Sequence, residues 1–597
     1  MLLLKNRDMK NFLSSLLATL VGLLIMTLLV FLIFMGIIAA STSKEVPEVK
    51  ENSVLLAKFN AQISDRANED PFAQFLSGNF MNAEMMGLNQ ILKDLDKAEA
   101  DENIEGIFLK LGAVSAGVST LGEIRDALLD FKKSGKFIYA YADAFSQKSY
   151  YLATAADSIF MTPEGMFLFN GLRAEVMFYK KALEKIGVEM QIVRHGTYKG
   201  AVEPYLRDDL SDENREQIES YVGALWEKIV SDISESRGIS VEKLNQIADE
   251  LLTIESDQLM ETGMVDGLIY YDEMLSLLKG KMGVEEEDDL EAISLKSYKN
   301  VPAEKKKEYS RDKVAVIYAM GTVVDGNAPE GFIGSERISK AIRKARRDKS
   351  VKAIVFRINS GGGSGSASDV IYREVLMAAK EKPVVASMGD VAASGGYYIA
   401  APADTIIAGP ATITGSIGVF GMFPNIQGLL NDKIGITTDV VKTNKHSNIL
   451  TAFDPLDTDE RVIAQKMIDN FYTRFVNIVS EGRGMSYEEV DAIAGGRVWA
   501  GTDALELGLI DMHGGLEKSI EVAADMAGLE EYRVQSLPVL EDPFTAIMNQ
   551  LTGNAMLRTD RILRRELGDE YIHYRKIQDI RNMHGIQAVM PYEIEIH

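Results

Sequence analysis

The chain carries two copies of one pattern. IEGIFLKL from Ile104 returns as VKAIVFRI from Val351, and YYLATAAD from Tyr150 returns as YYIAAPAD from Tyr397. Arg237-Gly238-Ile239-Ser240 returns as Arg483-Gly484-Met485-Ser486, and the stretch Glu261–Asp266 returns as Glu506–Asp511. The period is about 250 residues, far beyond the roughly 20–50 residues of a solenoid repeat, so a whole domain is duplicated. Each copy alternates short apolar runs with helical patterns. In the second copy the run VAVIYAM from Val314 reads as a strand, and Ser335–Arg347 as a polar helix. Then come AIVFRI, a glycine-rich turn, a helix over Ala367–Glu381 and PVVASM; Asp457–Ser480 reads as a long amphipathic helix. This β-α alternation predicts a layered α/β fold with a largely parallel sheet in each copy.

Ahead of the repeats, no charged residue occurs from Phe12 to Ile38. At about 1.5 Å per helical residue the run exceeds the roughly 30 Å hydrocarbon core of a bilayer. A cleaved signal peptide has an apolar region of only about 7–15 residues, so an uncleaved anchor is expected. Lys5, Arg7 and Lys10, opposed by Asp8, put the N-terminus in the cytoplasm and the bulk of the chain outside. The expected organisation is a cytoplasmic N-terminus (1–11), a transmembrane anchor (12–38) and a linker (39–52). The first repeat (53–284), a connector (285–311), the second repeat (312–540) and a helical tail (541–597, with the Arg-rich stretch Arg558–Arg581) follow.

Composition narrows the chemistry. Asp and Glu number 88 against 64 Lys and Arg, a net charge of −24, so no phosphate-neutralising surplus exists and a nucleic-acid partner is not expected. With no cysteine, disulfides, thiol nucleophiles and cysteine-bound metals are excluded. The six histidines form no HExxH or similar ligand spacing, so no metal and no cofactor is expected.

Two glycine-rich turns follow strands of the second copy: Asn359-Ser360-Gly361-Gly362-Gly363-Ser364, and Ala393-Ser394-Gly395-Gly396. Such turns let backbone N–H groups approach one anionic oxygen. A purely structural turn and a phosphate cradle are the competing readings; neither GxxxxGK[ST] nor a GxGxxG with its acidic partner is present. The first copy sharpens the choice. It has Gln147, Lys148 and Ser149 in place of Ser394 and the two glycines, and Val114, Ser115 and Ala116 in place of Gly361–Gly363. It also has a lysine, Lys199, where the second copy has residues near Ser447. Each half holds what the other lacks.

Ser394 within GDVAASGGYYIA, Lys199 within GTYKGAVEP, and the run Thr414-Gly415-Ser416-Ile417-Gly418-Val419 together resemble the signal peptide peptidase A (protease IV) family in its long, duplicated form. The resemblance covers nearly the whole chain, anchor included. It implies tandem duplicated ClpP/crotonase-like domains behind a single N-terminal transmembrane helix. It implies a serine endopeptidase with Ser394 as nucleophile and Lys199 as general base, Ser416 orienting the lysine, and oxyanion donors at Gly395 and at Gly362 or Gly363. The family has proline where this chain has Gly361, which leaves the donor of that loop open. The implied substrates are cleaved signal peptides and other apolar peptides, in a homotetramer at the outer face of a bacterial inner (cytoplasmic) membrane. The rival readings are a crotonase-type acyl-CoA enzyme and a non-catalytic membrane scaffold.

Overall fold

The computed structural model describes residues 16–29, 47–67, 85–302, 310–540 and 585–590. Of the expected anchor, residues 16–29 are helical with their apolar side chains exposed, Leu17 and Leu24 by 67% and 70%. No helix among the described residues is long and apolar enough to cross a membrane, and the rest of 12–38 lies outside them.

The first repeat is built on a six-stranded sheet in the order Gly267–Leu268, Ser158–Met161, Phe137–Ala142, Ile104–Leu111, Ser53–Ala57, Ala292–Ser294, every pair parallel. The second repeat reproduces the central strands as Thr405–Ala408, Val384–Ala393, Val351–Ser360 and Lys313–Met320, with Arg533–Leu537 at the same edge. Their shared polar contacts also recur. Asp266 accepts from Ile159 N and Asp511 from Ile406 N, each at 2.7 Å. Tyr150 and Tyr397 each donate a 2.7 Å hydroxyl bond, to Met264 O and Leu509 O. The long helices Asp212–Arg237 and Thr458–Arg483 start on a capping Ser211 or Asp457 and stop at Gly238 or Gly484 in left-handed conformation.

Two parts of the expected domain plan are corrected. The connector 285–311 is not all linker: Ala292–Ser294 adds a strand to the first sheet, and Tyr298 is buried, donating to Asp101 Oδ2 at 2.8 Å. The acidic run beside it hides a strand of three residues. At the C-terminus, Arg558–Arg581 lies outside the described residues, but Gly585–Val589 is a strand, not part of a helical tail.

Period-two alternation explains how the repeats meet. Val314, Val316 and Tyr318 join the core of the first repeat, whereas Ala315, Ile317 and Ala319 face the second repeat's own helices. The second sheet is therefore buried on both faces, as its near-continuous apolar strands require. Fully buried Arg357 ties the seam, reaching Asp65 and Glu123 of the first repeat at 2.6 Å each. Burial alone would lower the guanidinium pKa; the two carboxylates raise it instead.

A second six-stranded sheet closes the edge above this core. Its order is Phe332–Gly334, Thr322–Val324, Gly362–Ser364, Gly585–Val589, Val419–Asn425, Glu189–His195. The last strand comes from the first repeat and pairs antiparallel with Val419–Asn425 of the second, from Val419↔His195 to Asn425↔Glu189.

Candidate active site

Ser394 stands where the strand Val384–Ala393 turns into the short helix Gly395–Ala400. Its φ of 55° and ψ of −114° are conformations an L-residue adopts at a cost of about 1–3 kcal/mol. Neighbours hold it there: Ser394 N–H donates to Gly415 O and Ser394 O accepts from Tyr398 N–H, both at 2.8 Å. Gly396 is required, since a Cβ there would lie 2.6 Å from Ser360 O. The strand end is fixed by Asp390, which accepts from Thr120 N at 2.9 Å and Thr120 Oγ1 at 2.7 Å of the first repeat. Burial raises the pKa of Asp390, and these donors oppose the rise.

Lys199 arrives from the other repeat. The strand pairing of Glu189–His195 carries the chain to the site, and Tyr198 N–H then donates to Gly495 O at 3.0 Å. Gln217 bridges the same junction, donating to Tyr198 O at 2.9 Å and accepting from Val498 N at 3.1 Å. Glycines line the lysine stem: a Cβ on Gly496 would lie 2.8 Å from Lys199 Cβ, and one on Gly418 3.4 Å from Lys199 Cδ. The amine ends 2.7 Å from Ser394 Oγ, 2.9 Å from Ser416 Oγ and 3.1 Å from Ser416 O. Lys199, Ser394 and Ser416 are all fully buried. Burial holds the lysine pKa well below its ordinary 10.5. A neutral amine fits its three neighbours: two N–H bonds donate to Ser416, and the lone pair accepts the Ser394 hydroxyl. Ser416 itself is held at φ 50°.

The glycine turn lies beside the serine. A Cβ built on Gly362 would come 2.7 Å from Gly395 N, so both backbones converge on one point. Gly362 N–H donates to Ser360 Oγ at 3.1 Å, while Gly363 sits between Val323 and Ala588 in the sheet. All six residues expected from the sequence, Ser394, Lys199, Ser416, Gly362, Gly363 and Gly395, are thus brought together.

The family model of peptidase family S49 matches residues 130–285 and 377–530, once in each repeat. The chain belongs to peptidase family S49. Its S49 relatives include Protease 4 of Haemophilus influenzae, 35% identical over 83% of this chain and 82% of that protein. Protease 4 of Salmonella typhi is 36% identical over 78% and 76%, and the chloroplastic serine protease SPPA of Arabidopsis thaliana 33% over 86% and 76%. The S49 chain is therefore a serine protease of signal peptide peptidase type in its long, duplicated form.

Within this S49 fold the first repeat has closed its own version of the site. Gln147 accepts from the N–H groups of Asn170 and Gly171 at 3.0 and 2.9 Å and donates to Gly171 O at 2.9 Å. The residue before it, Ser146, caps the helix Gln147–Ala153 at an ordinary φ of −87°. The strained turn of Ser394 has no counterpart here. Sequence reading missed Gln217, Gly495 and Gly496, and also His195, whose Nδ1 lies 2.8 Å from Asp469 Oδ1 while its ring stacks on Tyr472 at 3.8 Å. A clue was present in Gly495-Gly496, a glycine pair between two helical patterns.

Proposed function

We propose that this chain is a membrane-anchored endopeptidase in which Ser394 is the nucleophile and Lys199 the general base. The observation that carries the reading is the 2.7 Å approach of a fully buried lysine amine to a serine hydroxyl on a strained turn. As Ser394 Oγ attacks a peptide carbonyl, its proton passes to Lys199 Nζ, which is held by Ser416. The N–H groups of Gly395 and Gly363 receive the oxyanion; the N–H of Gly362 is already given to Ser360. Lys199 then protonates the departing amine, and water, activated by the same amine, hydrolyses the acyl-enzyme.

The substrates proposed are signal peptides left after cleavage and other apolar peptides. The relatives named Protease 4 and the uncharged stretch from Phe12 to Ile38 support this reading. A bacterial inner-membrane location, an outward-facing catalytic body and a homotetramer belong to the same proposal. A crotonase-type acyl-CoA enzyme would use acidic catalysts, whereas here a lysine amine faces Ser394 Oγ. The test is hydrolysis of a synthetic signal peptide by wild type, Ser394→Ala and Lys199→Ala. The proposal expects turnover in the first alone; full turnover in either variant would sink it.

A further inference from the structure

The closed site of the first repeat is hollow. A cavity of about 340 Å³ opens there against Gln147 and Lys148, the residues that stand in place of Ser394 and Gly395. Its walls are mostly apolar, formed by Val114, Val118, Leu121, Tyr151, Leu172 and Ile229. The size lies within the range of small-ligand sites, roughly 300–1,000 Å³. In the second repeat an aromatic ring stands at this place: Tyr398, the counterpart of Tyr151, packs on Phe475 with ring centroids 4.8 Å apart. The helices Asp212–Arg237 and Thr458–Arg483 have equal length, so Phe475 aligns with Ile229. The fold therefore accepts a ring at this helix position, yet the first repeat leaves the space beside Tyr151 open. An unfilled apolar cavity destabilises a fold in proportion to its volume, which points to an occupant.

One charged group lines the cavity. Lys148 is half-buried and, among the described residues, makes no hydrogen bond and no ion pair. The charge that acts on it is Asp390, whose carboxylate is already bonded to Thr120 N and Thr120 Oγ1. Burial lowers the pKa of Lys148, and Asp390 opposes the fall. The other polar side chains at the wall are committed: Ser146 Oγ accepts from Ser149 N, and the Gln147 amide is bonded to Asn170 and Gly171. A partly desolvated ammonium without a paired anion is a point of attachment for a carboxylate. Apolar walls and a single cation complement an apolar chain that ends in one carboxylate.

Resting on the reading above of this enzyme as a peptidase for apolar peptides, we propose that the closed site of the first repeat binds the free C-terminus of such a peptide, with its last apolar side chains in the cavity and its carboxylate on Lys148. The place corresponds, in the duplicated fold, to the one where Ser394 meets a peptide. Release of a peptide by cleavage creates the group this site lacks, a new carboxylate at the end of the chain. The same stretch inside an uncut protein carries an amide bond there and leaves Lys148 unpaired. The first repeat thereby sorts released peptides from intact chains, and the second repeat cuts them. A fatty acid shares the chemistry of an apolar chain with one carboxylate, and the test separates it from a peptide.

Fluorescence anisotropy of a labelled synthetic signal peptide on the full-length Ser394→Ala protein tests this, with the peptide as free acid and as C-terminal amide. The acid is expected to bind about tenfold tighter than the amide, the size of one charge-assisted contact. Added to the same protein, Lys148→Gln is expected to erase that difference and Lys148→Arg to keep it. Ile229→Phe, which gives the first repeat the ring of the second, is expected to weaken binding of the acid by about the same factor. Equal binding of acid and amide, a preference that survives Lys148→Gln, or acid binding unchanged by Ile229→Phe overturns the inference and leaves the protease assignment standing. So does displacement of the acid peptide by decanoate as effective as that by unlabelled peptide, which would give the cavity to a fatty acid. Hydrolysis of the peptide by the Ser394→Ala protein, read by mass on the same mixtures, overturns the nucleophile assignment and not the site, which is judged on the acid–amide difference alone.

Discussion

Lys199 is a cation-forming group sealed from water, and its neighbours in the site are serines and glycines. Only burial lowers its pKa, so exclusion of water, without help from another charge, is what favours the neutral amine. Activity should rise with pH as the residual ammonium loses its proton, and Lys199→Ala should remove that limb and cost on the order of 10²–10⁴-fold in kcat. A pH–rate profile of signal-peptide hydrolysis checks both. The same shift affects stability. The unfolded lysine titrates near its ordinary 10.5 and the folded one lower, so between those values the unfolded chain binds more protons. The penalty is full below the folded pKa and fades as pH rises toward 10.5. Lys199→Met should therefore raise the unfolding midpoint at neutral pH, with a gain that shrinks in alkaline buffer, while activity is lost. Thermal unfolding at two pH values measures the difference.

At the scale of elements, the strand-turn-helix around Ser394 and the strand Glu189–His195 divide the labour. The first sets the hydroxyl on a buried turn, and the second delivers the lysine amine across a repeat boundary. Delivery relies on space left by glycine: Gly496, at φ 87°, leaves no room for a Cβ against Lys199. Gly496→Ala should displace the amine and reduce kcat by about 10²-fold, with Km less affected, as steady-state kinetics would show. Elements with strong local signals were legible in the sequence. Ser335–Arg347 is a helix over its predicted span, and the expected long helix from Asp457 runs over Thr458–Arg483. The turn at Ser394 was legible from Ser-Gly-Gly after an apolar run. The cradle of Lys199 was not, because Gly418 and Gly496 gain meaning only from a partner far away in the chain. The strand at 585–589 was hidden for the same reason: five residues without alternation become a strand only because two edges await them.

Across the whole molecule, the duplication was the most legible feature and also accounts for the site. A gene-doubled domain could keep the scaffold twice and divide the chemistry, closing one turn with Gln147 and keeping Ser394 in the other. What the repeat could not reveal is how the copies dock; that rests on alternate faces of Lys313–Met320 and on the buried group of Arg357, Asp65 and Glu123. Arg357→Met would leave two carboxylates buried without their cation. It should destabilise the chain by roughly 3–5 kcal/mol, seen as a lower midpoint in denaturant, and should lower activity by loosening the seam that aligns Lys199 with Ser394. The proposed dyad takes both side chains from one chain, so a mixture of Ser394→Ala and Lys199→Ala proteins should remain inactive in the peptide assay. The most direct measurement of the divided site is the rate at which a fluorophosphonate labels Ser394 as a function of pH, in wild type and in Lys199→Ala. Labelling that climbs with pH through a single titration below 10.5 in wild type, and is slow and without that titration in the variant, is the predicted result. Equal rates and the same pH profile in the two proteins would contradict the account.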